Sequence, residues 1–231
     1  MATCGPVGSL SGLSRPLDPG WTHPQTSSRL RYRFAASSTV SEPSRKSRYL
    51  LFAIAAVVAV VLDLWTKQWA WNTLRPPEGE AIEVVEHVFY FRYGFNTGAA
   101  FSFLRDSAWS RPFFIVVTLF ALGYMGWMLR TMPAKRGYGF LAVGLIAGGA
   151  LGNLFDRITR VDTVRIGGEM VERHGVVDFL QFYYNWEAGD YWPIFNIADT
   201  ALCVGVGLLL IYLHKQGKED AAAEKAAAAA A

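Results

Sequence analysis

Four long apolar stretches alternate with polar segments along the chain. Residues 49–62, 112–129, 137–155 and 200–213 contain no charged side chain. The two central stretches can cross a bilayer, which needs roughly 17–25 residues. The first reaches that length only by including Asp63 and Lys67, and the last only by beginning near Trp192 and including Asp199. The pattern predicts a membrane α-helical protein with four transmembrane helices, two of which carry ionisable side chains.

Composition divides the chain into three parts. Of its 231 residues, 52% are hydrophobic, and they are concentrated in a predicted transmembrane domain at 49–214. Residues 1–48 are rich in Ser, Pro, Gly and Arg without an apolar period, which is typical of a disordered basic extension. Residues 215–231 form a low-complexity tail. Cys4 and Cys203 lie in different environments, so no disulfide framework is expected.

The basic residues predict the orientation. They precede helix 1, separate helices 2 and 3, and follow helix 4: Arg45, Lys46, Arg48; Arg130, Lys135, Arg136; Lys215, Lys218. Because cytoplasmic loops are enriched in Lys and Arg, these segments and both termini are expected in the cytoplasm. Residues 75–110 and 156–191 are then extracytoplasmic. Within the first of these loops, residues 81–96 are rich in β-branched and aromatic residues, which predicts two short strands with a turn.

Two aspartates in apolar settings are the main candidates for chemistry. Asp178 lies in Val-Val-Asp-Phe, and Asp199 opens the last apolar stretch, three residues after Asn196. A carboxylate at the bilayer centre costs about 2.5–3.5 kcal/mol on insertion scales, so its presence requires an explanation. Two carboxylates that meet can share one proton, and such a pair can hydrolyse a peptide bond without a metal. We therefore predict that Asp178 and Asp199 meet.

Further polar residues occur at helical spacing. Asp63 and Lys67 are four apart and can form an ion pair, which could be purely structural. Asn153, Asp156 and Arg157 can share one helix face at the end of helix 3, where small residues favour tight packing. That cluster could serve only to join helices, or it could support the two aspartates.

Other chemistries find less support in the sequence. No His-Glu-x-x-His pattern or nucleophile elbow occurs, and the histidines His23, His87, His174 and His214 lie in unrelated segments. We expect no metal and no cofactor. A proton-coupled transporter is the alternative function, because intramembrane carboxylates often relay protons, but the acids cluster at one side and no repeat is evident. A non-catalytic scaffold is a third possibility.

Five motifs together resemble one family. Asp-Leu-Trp-Thr-Lys, Asn-Thr-Gly-Ala-Ala-Phe-Ser, Gly-Asn-Leu-Phe-Asp-Arg, Val-Val-Asp-Phe and Phe-Asn-Ile-Ala-Asp, in this order, are similar to those of lipoprotein signal peptidase (signal peptidase II). The resemblance covers roughly residues 48–215. It implies a bacterial inner-membrane aspartic endopeptidase with a small extracytoplasmic β-cradle. Its members cut prolipoproteins just before a cysteine that carries a diacylglyceryl group.

The resemblance also assigns roles to residues. Asp178 and Asp199 would be catalytic, and Asp156 structural. A supporting polar shell would comprise Asp63, Lys67, Asn96, Gly98, Asn153, Arg157 and Asn196. The implied partners are prolipoprotein substrates and membrane lipids, with no nucleic acid, and a monomer is expected. Two departures from the family pattern are the long N-terminal extension and an insert at 159–174, which could lengthen the hairpin leading to Asp178 or alter access to the site.

Overall fold

Four helices form the frame of the protein. The computed structural model describes residues 44–98 and 109–230, in which the helices are α1 (Arg45–Thr73), α2 (Ser110–Thr131), α3 (Gly137–Thr159) and α4 (Ile197–Ala230). All four are long and apolar enough to cross a membrane. The prediction of a four-helix membrane protein is confirmed.

Helix α3 occupies the centre, because its small residues allow both neighbours to approach closely. A side chain added at Gly148 would lie 2.6 Å from the carbonyl oxygen of Ala56 on α1, and one at Gly149 would lie 2.5 Å from that of Ala198 on α4. Packing of this kind is the usual means of joining helices in lipid, where no hydrophobic force drives association. Much of α3 is therefore buried, while α1, α2 and α4 expose many apolar side chains.

A four-stranded antiparallel sheet lies at one end of the helices. Its order is β1 (Ile82–Val85), β2 (Phe89–Asn96), β5 (Val176–Asn185) and β6 (Asp190–Tyr191). The two strands predicted within residues 81–96 are β1 and β2. Strand β5 pairs with β2 so that Gly94 faces Asp178. Val177 and Phe179 of β5 pack on Ala70 and Leu74, which fixes the sheet to the end of α1.

The insert forms a separate hairpin. Strands β3 (Val161–Ile166) and β4 (Glu169–His174) pair with each other and join at Gly167 and Gly168, whose positive φ angles suit a two-residue turn. At its base, Asp162 accepts hydrogen bonds from Arg75 and from the Tyr93 hydroxyl. The insert therefore lengthens the connection to Asp178 as a hairpin that is clamped at its base, and the clamp was not predicted from the sequence.

The opposite end of the bundle collects the basic segments. Arg48 donates to the carbonyl oxygen of Ala134 at 2.9 Å, and Arg136 pairs with Glu219. An apolar cluster that includes Phe140 and Tyr212 lies beneath them. The starts of α1 and α3 and the later part of α4 thus meet at one end. Residues 1–43, the greater part of the predicted N-terminal extension, lie outside the described residues.

We expect the glycine contact between α1 and α3 to control stability. Gly148→Ala places a methyl group against a backbone oxygen that cannot move without shifting α1, and overpacking of this kind costs about 1–3 kcal/mol. Gly123→Ala on α2 is the matched control, because among the described residues no atom outside the neighbouring backbone of α2 lies within 4 Å of its added carbon. Thermal unfolding in detergent should show a lower Tm for Gly148→Ala and an equal or higher Tm for the control. Equal Tm values for both variants would contradict this packing argument.

Candidate functional site

A fully buried lysine stands at the centre of the site. The ammonium of Lys67 lies 2.8 Å from an Asp63 oxygen and 3.4 Å from an Asp156 oxygen. Asp156 also accepts from Arg160, at 2.7 Å. Two cations therefore balance two carboxylates, which removes much of the penalty for burying any one of these charges. The predicted pairing of Asp63 with Lys67 is present.

The two carboxylates that hold Lys67 also bind backbone next to the candidate aspartates. Asp63 accepts the backbone N–H of Ala198 at 2.8 Å, and Ala198 directly precedes Asp199. Asp156 accepts the backbone N–H of Val177 at 3.1 Å, and Val177 directly precedes Asp178. One buried ion cluster thus ties the start of α4 and the start of β5 to α1 and α3.

Asn196 caps α4 and touches both aspartates. Its side-chain oxygen accepts the backbone N–H of Asp199 at 3.0 Å, while Asp199 accepts the backbone N–H of Asn196 at 3.2 Å. This reciprocal pattern is a capping box, and it places a carboxylate where the helix dipole favours negative charge. The side-chain amide of Asn196 then donates to Asp178 at 2.6 Å. A single residue therefore contacts both Asp178 and Asp199.

Asn153 is oriented by Lys67. Its side-chain oxygen accepts from the Lys67 ammonium at 2.7 Å and from the Asn196 amide at 3.2 Å. Because the oxygen faces the cation, the amide nitrogen faces the other way and donates to Asp199 at 2.9 Å. Lys67 thus determines which group Asn153 presents to Asp199.

Asn96 supports Asp178 from the cradle strand β2. Its amide nitrogen donates to Asp178 at 3.0 Å, and its oxygen accepts the backbone N–H of Gly98 at 2.9 Å. Gly98 has a φ of +117°, a conformation that side chains rarely adopt. The turn after β2 therefore fixes the orientation of the Asn96 amide. Residues 99–102, the rest of that motif, lie outside the described residues.

The environment of Asp178 favours its protonated form. Burial away from water raises the pKa of Asp178, and the neighbouring charge of Asp199 raises it further, to about 7. The hydrogen bonds from Asn96 and Asn196 oppose the shift because they stabilise the ionised form, but they do not cancel it. Asp178 therefore holds its proton at a higher pH than an exposed aspartate does.

Arg157 completes the charged surroundings. Its guanidinium interacts electrostatically with Asp178 and Asp199 and stacks 4.7 Å from the centre of the Phe114 ring. One of its nitrogens also donates to the carbonyl oxygen of Asn153 in the preceding turn. The arginine thus supplies positive charge beside the two aspartates without forming a direct ion pair with either.

All nine site residues named from the sequence lie in this region. Each of them is Asp178, Asp199 or Lys67, contacts one of these three, or contacts a residue that does. The hydrogen bonds that Asp63 and Asp156 accept from backbone N–H groups were not predicted, because bonds to the backbone leave no pattern in a sequence. In residues 44–98 and 109–230, no three His, Cys, Asp or Glu side chains are grouped so that they could hold a metal.

Comparison with known proteins assigns the family. The family model described as Signal peptidase (SPase) II matches residues 55–215. The chain belongs to the signal peptidase II family. It is therefore an aspartic protease of lipoprotein processing that spans a membrane. The comparisons give no support to the alternative of a transporter.

Curated relatives match most of the chain. The lipoprotein signal peptidase of Geobacter metallireducens is 39% identical over 179 residues, which cover 76% of this chain and 99% of that protein. The one from Maridesulfovibrio salexigens is 36% identical over 179 residues, covering 73% and 98%. Two solved structures described as a bacterial membrane enzyme are each 30% identical, with TM-scores of 0.56 and 0.57. They cover 70% and 73% of this chain, and 91% and 90% of their own.

Removing the central cation should destabilise the protein strongly. Lys67→Met leaves two buried carboxylates without their shared partner, and breaking a buried pair in this way costs about 3–5 kcal/mol. Lys46→Met, on the exposed start of the same helix, is the matched control. Unfolding in detergent or nanodiscs followed by tryptophan fluorescence measures both. A Lys67→Met protein as stable as the control would show that the cluster does not hold the fold together.

Proposed function

We propose that the protein cleaves the signal peptide from diacylglyceryl-modified prolipoproteins, with Asp178 and Asp199 as the catalytic pair. The observation that carries this proposal is the hydrogen bonding of the two carboxylates. Within the described part of the chain, each of their four oxygens accepts one N–H, from Asn96, Asn196 (twice) and Asn153. The remaining lone pairs are left for a proton and a water molecule, which is what acid–base hydrolysis needs.

Charge balance supports a single shared proton. The buried ion cluster consists of Lys67, Arg160, Asp63 and Asp156. Its two positive and two negative charges sum to zero. Arg157 then balances one of the two candidate catalytic charges. The other carboxyl group must be protonated for the whole site to be neutral, and a poorly hydrated site favours neutrality. The raised pKa of Asp178 agrees with this protonation state.

The proposed reaction is hydrolysis of one amide bond. The ionised aspartate takes a proton from water, and the oxygen of that water bonds to the carbonyl carbon while the protonated aspartate donates to the carbonyl oxygen. The tetrahedral intermediate then collapses. As the carbon–nitrogen bond breaks, the aspartic acid formed in the first step protonates the nitrogen of the following residue. A hydroxyl of the intermediate returns its proton to the other carboxylate as the carbonyl reforms, so the pair again holds a single proton. Arg157 and the asparagine amides stabilise the charges throughout.

The membrane orientation forms part of the proposal. The basic segments meet at the end of the bundle opposite the sheet, through contacts such as that of Arg48 with Ala134. Under the positive-inside rule, this end of the bundle faces the cytoplasm, and the start of α1 and the end of α4 lie on the same side. The aspartate pair then lies on the extracytoplasmic side of a bacterial inner membrane. A lipid-anchored substrate could reach it there laterally, with its acyl chains still in the bilayer.

Replacing either aspartate should abolish cleavage. Asp178→Asn and Asp199→Asn each remove a group that must carry or accept the proton, so kcat/KM should fall by at least about 10³-fold. The assay uses purified protein with a diacylglyceryl-modified and an unmodified prolipoprotein, and mass spectrometry locates the cut. Asp190→Asn, on the exposed edge strand β6, is the control and should retain normal activity. Normal cleavage by either site variant would refute the assignment.

Activity should fall on the alkaline side of neutrality. Above about pH 7 the Asp178 carboxyl loses its proton, and the acid that donates to the carbonyl oxygen is lost with it. The pH profile of kcat/KM should therefore have a descending limb near pH 7.

Asn96→Ala tests whether the descending limb of the pH profile reports the titration of Asp178. This change removes a hydrogen bond that stabilises the ionised form, so the pKa of Asp178 should rise and the limb should move up by about one pH unit. Asn72→Ala, an exposed asparagine on α1 that is bonded to Gln68, is the control and should leave the limb in place. A limb that moves down in Asn96→Ala would contradict the proposed protonation state.

A further inference from the structure

Three buried polar groups find no hydrogen-bond partner at the end of the bundle opposite the sheet. They are the hydroxyls of Tyr138 and Tyr212 and the Nη1 of Arg136, and no atom in residues 44–98 or 109–230 bonds to any of them. Tyr212 is only 3% exposed. Because an unpaired buried polar group is costly, such a group in a native protein usually binds a water molecule or an ion. Three of them close together indicate a ligand.

The three groups lie together in the corner between α3 and α4. Arg136 directly precedes α3, and Tyr138 is its second residue. The Tyr138 ring packs edge-on against Tyr212 of α4, with 5.9 Å between ring centres. Tyr212 also lies against the first turn of α3, since a carbon added at Gly139 would be 2.6 Å from its ring, and Arg136 acts electrostatically on its hydroxyl. We call these three side chains and the start of α3 the corner site.

The start of α3 contributes backbone donors to the corner site. In the described part of the chain no side chain caps this end of the helix, which is 23 residues long. The first N–H groups of a helix have no partner within it, and the helix dipole is positive there. Helix starts of this kind bind phosphate and other anions. Since the N–H groups, the guanidinium and the hydroxyls can all donate, the ligand that satisfies them is an acceptor with several oxygens.

Positive charge surrounds the corner site. The Lys215 ammonium lies 5.7 Å from the centre of the Tyr138 ring. The Arg48 guanidinium lies so close to Gly137 that an added side-chain carbon there would overlap it. Because α1 and α4 each bring a cation to the start of α3, the site favours a negatively charged ligand.

One carboxylate competes for the same position. Glu219 pairs with Arg136 and lies 3.6 Å from Lys135, while Asp220 acts electrostatically on Tyr212. The Glu219 side chain is 45% exposed, and exposed ion pairs contribute little to stability. An anion that bonds to the three unpaired groups can therefore replace Glu219 at Arg136 with little loss.

We propose that the corner site binds the phosphate group of an anionic phospholipid. The oxygens of a phosphodiester can accept from hydroxyls, a guanidinium and helix N–H groups together. A lipid is favoured over a soluble phosphate because α3 and α4 span the membrane, and because Leu213, beside Tyr212, is apolar and 49% exposed. Basic pockets between membrane helices are typical sites for anionic headgroups. This binding does not depend on which bond the protein cleaves.

Lipid titrations of the full chain test the proposal. Native mass spectrometry of the detergent-solubilised protein measures the binding of phosphatidylglycerol, phosphatidylcholine and inorganic phosphate. We expect phosphatidylglycerol to bind at least about tenfold more tightly than either of the others. Inorganic phosphate that binds as tightly would overturn the lipid as the ligand, and equal binding of the two lipids would overturn the requirement for negative charge.

A double variant, Tyr138→Phe with Tyr212→Phe, removes both hydroxyls and keeps the rings. It should bind phosphatidylglycerol about tenfold more weakly. Its Tm without lipid should not fall, because the lost hydroxyls have no partner in the described chain. Tyr124→Phe, on the exposed face of α2, is the matched control and should change neither value. An unchanged affinity in the double variant would overturn the proposal, as would a Tm that falls equally with and without lipid, which would show a purely structural role.

Glu219→Gln tests the competition for Arg136. This change frees the guanidinium for the phosphate, so the affinity for phosphatidylglycerol should rise about threefold or more. Glu224→Gln, farther along the exposed tail of α4, is the control and should leave the affinity as it is. An unchanged or lower affinity in Glu219→Gln would contradict a phosphate site at Arg136.

Discussion

The buried ammonium of Lys67 is the interaction on which the site depends. It holds Asp63 and Asp156, and these two carboxylates bind the backbone N–H groups directly before Asp199 and Asp178. It also orients the Asn153 amide toward Asp199. A buried ion cluster adds little net stability compared with apolar packing, but it can specify one arrangement of its surroundings. Here that arrangement fixes the start of β5 and the start of α4 against α1 and α3 at the same point.

The membrane explains why the site is built from such a network. Little water is available to solvate a charge that is not paired, so each ionised group must find a partner within the protein. Asparagines fill this role around the proposed catalytic pair, because an amide donates to a carboxylate without adding charge. The result is a site that is close to neutral when one proton is shared.

Much of this could be read from the sequence, for identifiable reasons. Uncharged runs of sufficient length predicted the helices, and the i, i+3 spacing of Asn196 and Asp199 predicted their shared face. The meeting of Asp178 with Asp199 was an inference from two apolar contexts, and the structure joins them through Asn196. A longer hairpin before Asp178 was one of two possibilities for the insert, but the clamp at Asp162 was not predicted, because it depends on contacts with Arg75 and Tyr93 that are distant in sequence. The hydrogen bonds from backbone N–H groups to Asp63 and Asp156 could not be predicted from the sequence either.

The claim that two aspartates share one proton can be measured directly by infrared spectroscopy. The carbonyl stretch of a protonated carboxyl group is recorded in nanodiscs between pH 5 and pH 9. We predict a band that disappears near pH 7 in the unsubstituted protein, is missing from Asp178→Asn, and titrates at a lower pH in Asp199→Asn, since loss of the neighbouring charge lowers the pKa of Asp178. A band that is unchanged in both variants, or no titration in this range, would contradict the account.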